Sequence, residues 1–307
     1  MDDTTDSSPV PRSVAVSGST GMIGSALVAS LERDGVDVRR IVRGKPGKKD
    51  IAWDPSAGSI DAASLQGVEA VVHLAGEPIG ERWTSEKKKR ILESRVGGTR
   101  TLAEAIGSLD SPPRVLVSAS GVGYYGDRGD ELLTEESSPG DDFLASVVQQ
   151  WEAALAPAAR AESRVVRLRF GVVLSTRGGA LDRLLTPFKL GVGGRLGSGR
   201  QWMSWISLDD VIRVIRFALS NDQISGPINA VAPEQVTNAD FTQVLGSVLN
   251  RPTIFQVPAP ALRLAFGEMA EGTLLVSQRA VPARLQAAGF DFSQPRLEEA
   301  LRAALQR

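Results

Sequence analysis

The sequence has no cysteine and only one histidine, His73, among its 307 residues. Without thiols there is no disulfide framework, no thiol nucleophile and no thiolate metal site. One imidazole cannot build a zinc site of the usual kind, and no Asp/Glu cluster shows ligand spacing, so no metal is expected. The formal net charge is −1. That provides no global field to draw nucleic acid or an anionic membrane, so neither is an expected partner. No apolar run approaches the ~18 residues a membrane-spanning helix needs. Tyrosine is scarce too: Tyr124 and Tyr125 are the only two, so any phenol chemistry must come from that pair. The opening MDDTTDSSPVPR is polar and acidic without an apolar core, unlike a secretory signal. It is expected to be a disordered tail over 1–12 of a cytoplasmic protein.

Beyond the tail, apolar strand-like runs alternate with helical patterns. Strands are predicted at 13–17, 36–42, 51–53, 70–74, 115–118 and 165–168, and helices at 23–34, 84–106 and 143–161. Strands apolar along their whole length, alternating with helices, imply a parallel sheet covered on both faces. The expected fold class is therefore α/β, a Rossmann-type doubly wound parallel sheet. From about Arg177 the texture changes. Residues 191–200, GVGGRLGSGR, hold five glycines, which excludes regular helix. An apolar stretch and helix resume over 206–219, and proline-punctuated sequence with two or three short helices follows. The predicted division is a cofactor-binding domain at 13–176 and 206–232, and a smaller C-terminal substrate subdomain at 177–205 and 233–307.

Residues 14–24, VAVSGSTGMIG, carry glycines at 18, 21 and 24 between the first strand and the first helix. Gly18 permits the tight turn, Gly21 lets the backbone approach a pyrophosphate, and Gly24 lets the helix pack close to the sheet. The phosphate then meets unpaired N–H groups at the helix N-terminus. The spacing is Gly-x-x-Gly-x-x-Gly, and its position on the first strand of an α/β pattern is what gives it meaning. Which dinucleotide binds is set by the end of the second strand. There IVRGKPGKK places Arg43 where an acid would bind the ribose hydroxyls of NAD, with Lys45, Lys48 and Lys49 behind it. Cations suit a 2′-phosphate, so NADP(H) is the expected cofactor; the alternative is a solvated basic loop.

GSTGMIG at 18–24, HLAG at 73–76 and SASGVGYYGD at 118–127 together resemble the extended short-chain dehydrogenase/reductases, relatives of nucleotide-sugar epimerases. LAGEPIGERWT at 74–84, ESRVGGT at 93–99, RLRFGVVLS at 167–175 and GSGRQWMSWISLDD at 197–210 are similar to one atypical, epimerase-like branch. That branch includes the human 39U-type reductase. PARLQAAGFDF at 282–292 resembles the branch's small C-terminal domain. The resemblance covers most of the chain and implies a nicotinamide site. Gly18, Ser19, Thr20, Gly21, Met22, Ile23 and Gly24 would surround the pyrophosphate. Leu74, Ala75 and Gly76 would lie along the cofactor ribose, Ser118 would border the site, and Arg43 would take the 2′-phosphate. It also allows the superfamily's homodimer, built through two helices.

The chemistry departs from that superfamily. Its enzymes use Tyr-x-x-x-Lys on the helix after the fifth strand, whereas here Phe143 and Val147 occupy those positions. Neither side chain can transfer a proton. A second departure is Met203, which stands where epimerase relatives place an arginine for the substrate pyrophosphate; Arg195 or Arg200 could substitute, or both are solvated. Candidates for catalysis are Ser120, at the end of the fifth strand, and Tyr124 or Tyr125 on the loop after it, with Asp127 a further acid. Asp54 could approach the adenine, and Arg95 could reach the cofactor side or act as a structural arginine. His73 reads as a packed core histidine, and EKKKR at 86–90 as a solvated helix face. The five tryptophans look mainly like packing residues, with Trp83 and Trp205 able to line a pocket. Two functions follow. One is an NADP(H)-dependent oxidoreductase or isomerase acting on a small carbonyl or hydroxyl compound. The other is a non-catalytic NADP(H)-binding sensor of redox state.

Overall fold

A computed structural model describes residues 10–306. The disordered tail expected over 1–12 lies, up to residue 9, outside the described residues. The main sheet is formed by β1 (Ser13–Ser17), β2 (Asp37–Val42), β3 (Ile51–Asp54), β4 (Ser59–Ile60), β5 (Ala70–His73), β6 (Val115–Gly121), β7 (Arg164–Phe170) and β8 (Gly226–Ala230). In space their order is β8-β7-β6-β5-β1-β2-β3-β4. All neighbours are parallel except the short β3–β4 edge hairpin. The order reverses between β1 and β5, which opens a crevice at the carboxyl ends of these strands, where ligands bind in doubly wound sheets.

Side-chain alternation along the strands feeds two layers of core. Val14, Val16, Val72, Val117 and Leu168 pack on one face against α1 (Met22–Arg33) and α6 (Leu208–Ser220), through Leu27, Leu31, Val211 and Ile215. Ala15, Val71 and Leu116 pack on the other against α2 (Ser85–Gly107), through Leu102, Ala103 and Ile106. Thr84 starts α2 by accepting a hydrogen bond from the Lys87 N–H, the usual role of a threonine N-cap.

The helix predicted over 143–161 is two. α3 spans Phe143–Ala153 and α4 spans Ala156–Arg160. Pro157 in the first turn of α4 has no N–H to continue the ladder of α3, so the chain restarts there. α5 is Gly179–Lys189. Beyond Gly226 the described residues form four α-helices rather than two or three short helices, α7 (Asn238–Leu249), α8 (Ala259–Phe266), α9 (Ala283–Ala287) and α10 (Leu297–Leu305), with a short π-helix at Ala270–Leu274.

A second core forms from Leu181, Leu185, Phe188, Trp205, Phe241, Leu245 and Leu301. The glycine-rich segment contributes a strand, Gly194–Leu196, which pairs with Phe255–Val257. A third cluster of Trp83, Ile91, Leu144, Val147 and Met269 joins α2 and α3 to the C-terminal region. No helix among the described residues is long and apolar enough to cross a membrane.

Candidate functional site

The glycine turn after β1 is shaped by contact with the end of β5. Gly18 has φ +67°, and a Cβ there would stand 2.8 Å from the Leu74 carbonyl carbon and 2.9 Å from the Ala75 nitrogen. A side chain is excluded twice, by sterics and by backbone conformation. At Gly24 a Cβ would fall 2.1 Å from the Gly18 carbonyl oxygen, so the first turn of α1 can lie on the loop only without one. The Gly21 N–H donates to Gly18 O at 3.0 Å and closes the turn. Gly21 then serves as the N-cap of α1, with no capping side chain and no acid in the first turn. The N–H groups at this helix start therefore meet no fixed anion of the protein, which is the arrangement a phosphate fits. Thr20 and Gly21 are exposed beside them, Met22 and Ile23 are partly covered, and Ser19 is buried.

Ser17 and His73 lock this turn to β5. The Ser17 hydroxyl accepts from the N–H groups of Leu74 (3.1 Å) and Ala75 (3.4 Å), and shares a 2.7 Å hydrogen bond with His73 Nδ1. His73 Nε2 lies 2.9 Å from Thr99 Oγ1, which also accepts from the Trp151 indole. His73 is fully buried and burial pushes its pKa down to about 4. It is the packed core histidine that the sequence suggests.

Arg43 follows the last residue of β2 and is exposed at the same edge of the sheet. Lys49, grouped with it from sequence, belongs elsewhere. Its ammonium bonds Asp37 Oδ1 at 2.6 Å, at the amino end of β2. Six residues of strand separate that point from Arg43, roughly 17 Å or more. Asp54 accepts from the N–H groups of Ser56 and Ala57, and these bonds hold its carboxyl below the usual range. That makes it a turn residue.

At the end of β6 lies a buried polar network that sequence reasoning missed. Arg169 on β7 donates from Nε to Glu152 Oε1 (2.8 Å) and from Nη2 to Oε2 (2.9 Å). The Ser120 hydroxyl donates to the same Oε1 at 2.7 Å. Arg169 Nη1 also donates to the Tyr125 hydroxyl (3.1 Å), which in turn donates to Asn229 Oδ1 on β8 (2.6 Å). Arg169 and Glu152 are almost wholly buried. Burial would weaken the guanidinium's hold on its proton, but the hydrogen bonds and charge of Glu152 outweigh it and push the pKa up. Arginine at 167 and 169 of a strand otherwise buried among apolar neighbours was the signal available in the sequence.

This network decides where the candidate hydroxyls point. Tyr125 is fully buried and turned into the protein rather than toward the crevice, and burial raises its pKa despite Arg169. Ser118 is fully buried and its hydroxyl donates to the neighbouring Ala119 carbonyl. Ser120, also buried, is committed to Glu152. Tyr124 is half-buried, with the Arg169 guanidinium 3.5 Å from its ring centre. Phe143 stacks edge-on to Trp83 at 5.3 Å, and Val147 is buried in the same apolar cluster. Asp127 accepts from the N–H groups of Gly129 and Ser277, as a loop tie. Met203 contacts Asn238, while Arg195 and Arg200 are exposed and Arg195 bonds Gln256. Trp205 is sealed inside the second core and Trp83 donates to the Ile79 carbonyl.

The profile of the NAD dependent epimerase/dehydratase family matches residues 14–230, from β1 through β8. The chain belongs to that family. A second profile, the domain of unknown function DUF1731, matches residues 257–304. "Epimerase family protein Mb2239" of Mycobacterium bovis is 45% identical over 290 residues, covering 94% of this chain and 96% of its own. The human epimerase family protein SDR39U1 is 39% identical over 293 residues, covering 94% and 98%. A crystal structure of the human protein with NADPH superposes with TM-score 0.89 at 38% identity, over 96% of this chain and 99% of that one. The structure of MoeE5 in complex with UDP-glucose and NAD matches with TM-score 0.75 at 25% identity, over 96% and 97%. The family and the epimerase-like branch are those the sequence motifs suggest.

Proposed function

We propose that this protein binds NADP(H) and is an oxidoreductase or epimerase-like enzyme acting on a small carbonyl or hydroxyl compound. The observation that carries the reading is the turn at Gly18, where any side chain would collide with Leu74 and Ala75 beneath an uncapped helix start. Backbone N–H groups at Met22, Ile23 and Gly24 would hold the pyrophosphate, and Leu74, Ala75 and Gly76 would flank the adjoining ribose. Arg43 would take the 2′-phosphate, a charge-assisted contact. The NADPH in the human relative's crystal structure supports the choice of NADP(H).

When bound, the cofactor supplies hydride transfer. The chain must supply proton transfer, and Phe143 and Val147 cannot. Of the three candidate hydroxyls, that of Tyr124 is the one engaged by no other described group, so it is assigned as proton donor. The Ser120 hydroxyl donates to Glu152, which leaves its oxygen lone pairs to accept from a substrate hydroxyl.

A non-catalytic NADP(H) sensor is the second reading. It is favoured by the inward commitment of Ser120 and Tyr125 and by the burial of Val147 in an apolar cluster against which Phe143 packs. Fluorescence titration with NADPH and NADH, on the wild type and Arg43→Ala, tests what both share. Tight NADPH binding weakened selectively in the variant is expected; failure to bind either cofactor would sink both readings. NADPH consumption with carbonyl compounds, abolished in Tyr124→Phe, would separate enzyme from sensor.

A further inference from the structure

Arg95 is a cation without an ion pair among the described residues, at the edge of the crevice. It projects from α2, and its guanidinium carbon would stand 3.5 Å from a Cβ on Gly76, three residues beyond the end of the strand that abuts the glycine turn. Nη1 donates to the carbonyls of Glu77 (2.9 Å) and Ile91 (3.3 Å). Nε and Nη2 have no partner among the described residues. The guanidinium carbon also lies over the Trp151 ring, 5.1 Å from its centre.

The nearest carboxylate is turned away. Glu77 Oε1 receives Lys87 Nζ at 2.8 Å and Arg90 Nε at 3.3 Å. Two other arginines drawn out of water are answered differently: buried Arg169 by Glu152 and partly buried Arg164 by Asp222. Desolvation brings the Arg95 pKa down to about 10, outweighing the opposing attraction of the Glu77 charge. Keeping such a group costs stability, and it remains partly open to solvent.

We propose that Arg95 receives an anionic oxygen, of a carboxylate or a phosphate, brought by the molecule that binds beside Gly76. Gly76 leaves the guanidinium's approach open, and the planar fork of free N–H groups suits a two-oxygen anion. This inference rests on the NADP(H) reading. The anion belongs either to the reacting compound or to the nicotinamide half of the cofactor. The reacting compound is the source favoured here, because Gly76 lies further from the glycine turn than Leu74 and Ala75 do.

The test is calorimetric titration of the wild type, Arg95→Met and Gly76→Ala. Gly76→Ala leaves Arg95 in place and adds a methyl in front of it, which keeps the test valid if Arg95→Met folds poorly. The ligands are NADPH, adenosine 2′,5′-bisphosphate, and inorganic phosphate added to the NADPH-saturated protein. If the anion is the reacting compound's, phosphate binds the wild-type complex and weakens about tenfold or more in both variants, while Arg95→Met binds both nucleotides as the wild type does. If it is the cofactor's, Arg95→Met weakens NADPH by that factor and leaves the bisphosphate, which lacks the nicotinamide half, unchanged. Wild-type affinities for all three ligands in both variants would overturn the proposal. A wild type that binds no NADPH would instead remove the reading beneath it.

Discussion

Replacing Glu152 with glutamine keeps the side chain's shape and removes its charge from beneath Arg169. In the wild type Arg169 is 3% exposed and makes two hydrogen bonds of 2.8 and 2.9 Å to that carboxylate. Glutamine can accept one of them, and its amide NH2 faces the guanidinium where an acceptor stood. Breaking a buried pair by removing one partner costs about 3–5 kcal/mol, because the remaining charge stays desolvated. At roughly 2 °C per kcal/mol for a domain of this size, Tm should fall by about 6–10 °C. Arg169→Met should cost a similar amount, leaving buried Glu152 with only the longer 3.7 Å contact to Arg167 and Tyr125 without its donor. The double variant should lose clearly less than the sum of the two, since no buried charge is then stranded. Urea unfolding followed by circular dichroism gives all three values. A loss below about 1 kcal/mol in Glu152→Gln, or strict additivity, would refute the view that this pair acts as a desolvated unit.

Gly18→Ala should destabilise the fold by at least about 1–2 kcal/mol through its left-handed backbone, and weaken NADPH about tenfold or more by displacing Leu74 and Ala75. Thermal unfolding and fluorescence titration read the two effects separately. His73 has a pKa of about 4 in the folded protein against about 6.5 unfolded, so the unfolded chain takes the proton first. Its contribution is nearly all present above about pH 7.5 and is lost as pH falls, by about 2 kcal/mol in all at pH 5. With one histidine in the chain, His73→Asn should flatten stability over that window. Tyr125→Phe should cost about 1–3 kcal/mol by stranding Asn229 and Arg169. Tyr124→Phe should leave Tm nearly unchanged and reduce turnover; equal stability losses in the two would contradict their assigned roles.

The parallel sheet and the glycine turn were legible because they rest on local signals: apolar runs of strand length, and glycines placed between the first strand and helix. The apolar state of positions 143 and 147 was equally plain, since it needs only the spacing of a motif. The Glu152–Arg169 pair was not, because it joins α3 to β7 and depends on how the helix lies over the sheet. The same holds for Lys49. Counted along the chain it follows Arg43, but the loop carries it back to Asp37 at the other end of β2. Tyr124 and Tyr125 are adjacent in sequence, and only the short turn after Gly121 decides that the Tyr125 hydroxyl goes inward to Asn229. The break before α4 had a local signal in Pro157, and the helical pattern on both sides concealed it.

The measurement that bears most directly on the account is a crystal structure of the protein grown with NADPH. The expected complex has the pyrophosphate on the N–H groups of Met22 to Gly24, the adenosine 2′-phosphate within hydrogen-bonding distance of Arg43, and the nicotinamide half passing Leu74 to Gly76. Density for the dinucleotide in another cleft, or none at saturating NADPH, would contradict it.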